Sequence, residues 1–197
     1  MKNLGLLMLR LTLGALMAGH GAQKVFGWFK GPGLQGTSGF MEMLGIKPGR
    51  IWGPMAAFGE LTGGVLTALG FLWPVGPLNI MAAMTVAARR AHWKLPLWAS
   101  QGGAELPMTN IAAALALATA GPGSYSLDRL FGIRIPRWMT ALMTLTTIGT
   151  AYAAAQRPDL AEKVATKVPV VGDLVVETRP AQQETQPQAE ATQPVNS

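Results

Sequence analysis

Five stretches of this chain are too apolar, and too poor in charge, to serve as the outer helices of a water-soluble domain. They run from about Leu4 to Phe26, from Ile51 to Trp73, from Pro74 to Ala88, from Leu106 to Gly121 and from Trp138 to Ala155. None alternates apolar and polar residues as a strand would, and Ala, Leu, Met and Gly dominate, so the reading is all-α. A helix needs roughly 20 residues to cross about 30 Å of hydrocarbon. The first two segments satisfy that comfortably. The other three do so if flanking polar residues snorkel or the bilayer thins locally.

Composition points the same way. Of the 197 residues, 49% are hydrophobic and only 13% are charged, where a soluble domain carries about 25%. The net charge of +6 sits in short basic clusters between apolar runs. That suits anchors at a membrane boundary better than a stripe for nucleic acid, so the expected partner is the lipid bilayer. The chain has no cysteine, which excludes disulfides, thiol relays, iron–sulfur ligation and thiolate zinc on this chain. The opening Met1-Lys2, the apolar run and the small residues near Ala18–Ala22 have the outline of a signal peptide. Arg10 interrupts that run and more apolar segments follow, so the first helix is expected to be retained.

Turn chemistry divides the segments. GPGLQG, KPG and GPGSYS are joints, and Pro74, Pro77, Pro107 and Pro136 fall at or near segment starts, where a missing N–H costs little. Thr37–Gly45 predicts a short helix along the interface, with Phe40, Met41 and Leu44 on one side. Beyond Gln156 the chain turns polar and low in complexity, and disorder is expected there. Lys24, Lys30, Lys47, Arg50, Arg89, Arg90 and Lys94 would share one side of the membrane. Lys2, Arg129, Arg134 and Arg137 would share the other, which leans toward a cytoplasmic first loop.

The candidate site residues are the polar groups inside this apolar background. Arg10 and Glu60 lie within the first two segments. A charge at mid-bilayer costs about 2.5–3.5 kcal/mol on insertion scales, so the two are expected to pair across neighbouring helices. At 100° per residue, Gly14, Met17, Gly21 and Lys24 fall near the Arg10 face, and Gly53, Ala56, Gly64 and Thr67 flank the Glu60 face. Gly59 and Gly63 form a GxxxG pattern for close helix approach beside it. Such a pair either fixes helix register or belongs to a polar pocket that holds a quinone head group or relays protons. His20, Gln23 and Lys24 end the first helix beside Trp28, as interfacial anchors or as a head-group-binding cluster. His92, between Arg89-Arg90 and Trp93, is a weaker candidate. No metal site, phosphate loop, nucleophile elbow or acid–base carboxylate pair is legible, and no catalytic residue is assigned.

Taken together, LRLTLGALMAGHGAQKVFGWF, GPGLQGTSGFMEMLG and ELTGGVLTALGF resemble the DoxX family of small bacterial integral membrane proteins. The likeness rests on Arg10, the HGxxK exit (His20, Gly21, Lys24), the glycine-rich connection and ELxGG (Glu60, Gly63, Gly64). GPGSYSLDRL resembles the family's ending after its fourth helix, which extends the likeness over about residues 4–130. The resemblance implies a transmembrane four-helix bundle over residues 1–130, in the inner membrane and multi-pass. An additional apolar helix (131–155) and a polar tail (156–197) depart from that pattern. The family is associated with quinone-linked membrane oxidoreduction, which implies an oxidoreductase subunit or accessory. Such a subunit would have no covalently bound cofactor, quinone as its ligand, and a redox centre supplied by a partner protein. The alternative is a non-enzymatic scaffold or small-molecule permease in which Arg10–Glu60 is architectural.

Overall fold

The computed structural model describes residues 1–157 and Lys163; the expected polar tail lies almost wholly outside these residues. The described residues are all-helical. Seven α-helices follow in order: α1 (Lys2–Phe26), α2 (Gly33–Met43), α3 (Gly49–Leu69), α4 (Val75–Ala87), α5 (Glu105–Ala120), α6 (Leu127–Leu130) and α7 (Arg137–Gln156). The segment boundaries follow the turn residues. Gly27 closes α1 and Gly70 closes α3 with φ of 71° and 62°, a left-handed conformation that costs a side-chain-free residue nothing. Beyond Gly70, the Phe71 N–H reaches the Leu66 carbonyl at 3.0 Å, which completes a Schellman cap. Pro74 and Pro136 precede α4 and α7, and Pro77 and Pro107 lie in first turns.

Helices α1, α3, α4 and α5 pack in a ring around one apolar core, with α7 against the outside of α4 and α5 and α2 against α3. Leu13, Met17, Ile80, Met81 and Leu117 fill the centre. The antiparallel α1/α3 contact is built by small residues. A Cβ on Gly14 would lie 2.7 Å from the Gly64 carbonyl oxygen, one on Gly64 2.2 Å from the Ala18 nitrogen, and one on Gly21 2.3 Å from the Leu61 nitrogen. Backbones this close exclude any side chain and maximise dispersion contact. The GxxxG expectation is corrected in detail: Gly59 faces open space, Gly63 meets Gly76 and Asn79 of α4, and Gly64 meets α1.

Two further expectations change. The Thr37–Gly45 helix begins earlier, at Gly33, ends at Met43 and packs its Ser38 backbone directly on Gly53 of α3, while Phe40, Met41 and Leu44 line one cavity together. Only α1 among the described helices is long and apolar enough to cross a membrane by length and composition, whereas two comfortable spans were expected. Helix α3 has 21 residues, but it devotes much of its length to the glycines, threonines and Glu60 that make its contacts. The 16 residues of α5 reach about 24 Å at 1.5 Å per residue.

The helix ends are tied by arginine. At the end of α4 the backbone widens into a single π-helical turn, Ala88–His92. From it Arg90 Nη2 donates to the Leu44 carbonyl at 2.6 Å, and Arg89 donates to Gln156 Oε1 of α7 at 2.9 and 3.2 Å. The sequence suggests simple boundary anchors here; the structure makes them cross-links to α2 and α7.

Candidate functional site

One end of the bundle opens into a largely apolar cavity of about 900 Å³. It is bounded by the last turns of α1, the first half of α3, most of α4, the first turns of α5, α2 and the end of α7. Its apolar walls include Met55, Met84, Val86 and Leu106, and its polar groups are His20, Lys24, Trp52, Glu60, His92 and Asn110. Helical spacing explains the convergence. His20 and Lys24 are one turn apart on α1, and Glu60 faces them from α3 across the contact at Gly21 and Leu61.

Glu60 is 3% exposed. Lys24 Nζ donates to its Oε1 in a short ion pair. Its Oε2 is buried and has no hydrogen-bond partner among the described residues. The indole Nε1–H of Trp52 is likewise buried and unpartnered. A buried polar atom without a partner costs about 1–3 kcal/mol, and here one acceptor and one donor are left open on the same cavity. The amide of Asn110 meets only the sulfurs of Met84 and Met17, at 3.7 and 3.9 Å. His20 Nδ1 lies 3.2 Å from Gln23 Oε1, and His92 Nδ1 lies 2.6 Å from the Gly102 carbonyl oxygen. With oxygen accepting, each Nδ1 carries a proton, and in the neutral form of the ring Nε2 is an acceptor.

The predicted residues are thus brought together, with one correction. Arg10 does not pair with Glu60. It is 1% exposed and points to the opposite end of the bundle. There its guanidinium donates to the carbonyls of Pro122, Tyr125 (2.6 Å) and Ala68 (3.4 Å). The cause is register. In the antiparallel α1/α3 contact Arg10 is level with Gly70, and Glu60 with Gly21 and Lys24. Ten residues of helix separate those levels, about 15 Å. Beside Arg10, Asp128 of α6 accepts the N–H groups of Leu72 and Trp73, each at 2.8 Å, and fastens α6 beneath the α3–α4 turn.

Sequence reasoning missed Trp52, Asn79 and Asn110 on the cavity. The two asparagines carry a signal that could have found them, being lone amides inside otherwise apolar helices. Among the described residues no group of three or more His, Asp or Glu side chains converges as a metal site.

A family comparison covers α1 to α4: residues 5–93 match the model of the DoxX family. A DoxX domain spans residues 5–93. No curated protein and no solved structure matches it. The DoxX region carries His20, Gln23, Lys24, Trp52, Glu60, Asn79 and His92, whereas Asn110 and the α7 wall lie beyond it. DoxX is a membrane-associated family, and the domain match supports a membrane protein. The DoxX match ends before α5, so the helices that close the cavity are contributed from outside the matched region.

Proposed function

We propose that this DoxX protein is a multi-pass protein of the bacterial inner membrane that binds an isoprenoid quinone or quinol in the cavity at Glu60, as a subunit or accessory of a membrane oxidoreductase. The observation that carries the reading is the second oxygen of Glu60, buried and without a partner at the edge of an apolar cavity. A quinol hydroxyl supplies the proton that this oxygen lacks. A quinone carbonyl accepts from the open Trp52 N–H or from Lys24, and the apolar walls take the isoprenoid chain. Lipid around the bundle is supported by large apolar side chains that face outward on several helices, among them Leu16, Phe58, Leu115, Leu142 and Ile148. The division into a four-helix unit over residues 1–130 and an added helix over 131–155 remains part of this reading.

A quinone supplies reversible two-electron, two-proton chemistry when bound. The protein's own part is binding and proton handling. Lys24 keeps the Glu60 carboxylate oriented, Glu60 accepts or returns a proton at Oε2, and His20 Nε2 offers an acceptor on the same cavity. The chain has no cysteine, so electrons are passed to or from a partner protein that carries the redox centre.

In nanodiscs, titration with a short-chain ubiquinone should quench the Trp52 component of fluorescence, defined by difference from Trp52→Phe. Glu60→Gln should weaken binding by roughly tenfold, the loss of one charge-assisted hydrogen bond, with no change in the amount of folded protein. Equal affinity of wild type and Glu60→Gln, together with no quinone in extracts of the purified protein, would overturn the proposal. The scaffold or permease reading loses its Arg10–Glu60 pair and survives only through Lys24–Glu60. Lys24→Met with Glu60→Leu separates the two: restored abundance with restored phenotype marks an architectural pair, and restored abundance alone marks a binding site.

A further inference from the structure

At the opposite end of the molecule a second crevice, of about 1210 Å³, opens between the α5–α6 connection and the first half of α7. Apart from Trp73, its lining residues lie outside the matched family region. We infer that this crevice is a binding site for a phosphate-bearing anion, independent of the quinone reading.

Three arginines line it: Arg129, Arg134 and Arg137. None of their guanidinium groups makes a hydrogen bond or ion pair among the described residues. The acidic residue on the crevice is Asp128, whose two oxygens each hold a backbone N–H at 2.8 Å. The lining therefore carries three positive charges against one negative charge that is already engaged.

The second observation is independent of these charges. Trp73 is 4% exposed and lines the crevice, and its indole Nε1–H is buried without a partner. Trp donates and cannot accept, so this open group asks for an acceptor. A third contribution comes from α7. Its first turn meets the crevice at Arg137 and Thr140, and no side chain caps it. The free N–H groups and positive dipole end of a 20-residue helix favour an anion. The open groups are thus donors and cations, arranged around a space large enough for a head group. Arginine's planar fork matches phosphate oxygens in pairs.

Two sources supply this chemistry, an anionic phospholipid head group and a soluble phosphate. Leu145, Ala141 and Ile133 on the same walls would lie along an acyl chain if the source is lipid.

The test uses the full-length protein with Arg134→Gln/Arg137→Gln, both exposed positions, and separately Trp73→Phe, which removes the N–H and keeps most of the ring. One arm measures retention of phosphatidylglycerol over phosphatidylcholine by native mass spectrometry from mixed nanodiscs. The other measures inorganic phosphate binding to delipidated protein in neutral detergent by calorimetry. The expected result is preferential phosphatidylglycerol retention that falls roughly tenfold in the double variant, and to a lesser degree in Trp73→Phe. If phosphate binds with the same dependence on Arg134 and Arg137 while phosphatidylglycerol shows no preference, the site holds and its ligand is soluble. If neither ligand distinguishes the wild type from the double variant, the site is refuted. The quinone titration is unaffected in either case.

Discussion

Arg10→Met should remove most of the folded protein. The guanidinium joins three carbonyls from the end of α3 and the α5–α6 turn, so its loss strands several buried acceptors at once. It also removes a positive charge that interacts with the buried Asp128. Breaking a buried charged network by removing one member costs on the order of 3–5 kcal/mol, comparable to the whole stability of a marginal domain. Fluorescence-detected size exclusion of a tagged protein in mild detergent should show the monodisperse peak largely replaced by aggregate. Arg10→Lys should rescue only in part, because an ammonium on a flexible stem cannot span three acceptors as a planar fork does. Full stability in Arg10→Met would mean that the clamp contributes nothing.

Gly64→Val should have the second largest effect, by separating α1 from α3. The new Cβ falls 2.2 Å from the Ala18 nitrogen and 2.6 Å from the Gly14 carbonyl oxygen. Backbone atoms cannot step aside as a side chain can, so the helices must part and lose their contact along several turns. Overpacking costs typically about 1–3 kcal/mol and more where backbone must move. Thermal melting in detergent should fall by many degrees, and the Lys24–Glu60 pair should be lost with it. Gly59→Ala, one residue before Glu60 on the same helix, meets nothing within 4 Å. It should leave stability unchanged or raise it by up to ~1 kcal/mol through helix propensity. Equal behaviour of the two variants would refute the contact.

What the sequence revealed and what it concealed differ by physical kind. Helix positions were legible, because glycine and proline punctuate every joint and apolar runs of 15 or more residues leave few other choices. The faces were legible in part: Lys24, which the 100° step puts on the Arg10 face, does meet Glu60. Heights were not. A helical wheel records direction and discards position along the axis, so it could place Arg10 and Lys24 on one face without saying which of them meets Glu60. That choice is made by Gly14, Ala18 and Gly21 against Leu61 and Gly64, a packing register set by shape. The roles of Trp52 and Trp73 were hidden for a related reason. Whether an indole N–H finds a partner depends on what the fold brings beside it. The π-helical turn at Ala88–His92 has no composition that separates it from an ordinary helix end.

Between the two chambers stands a plug of tightly packed side chains, with Met17, Ile80 and Leu117 wholly removed from solvent. In the proposed reading, a septum of this kind keeps protons exchanged at Glu60 at one end of the bundle. The proposed quinone cavity at Glu60 and the arginine-lined crevice would then work as two separate compartments, with the packed core between them.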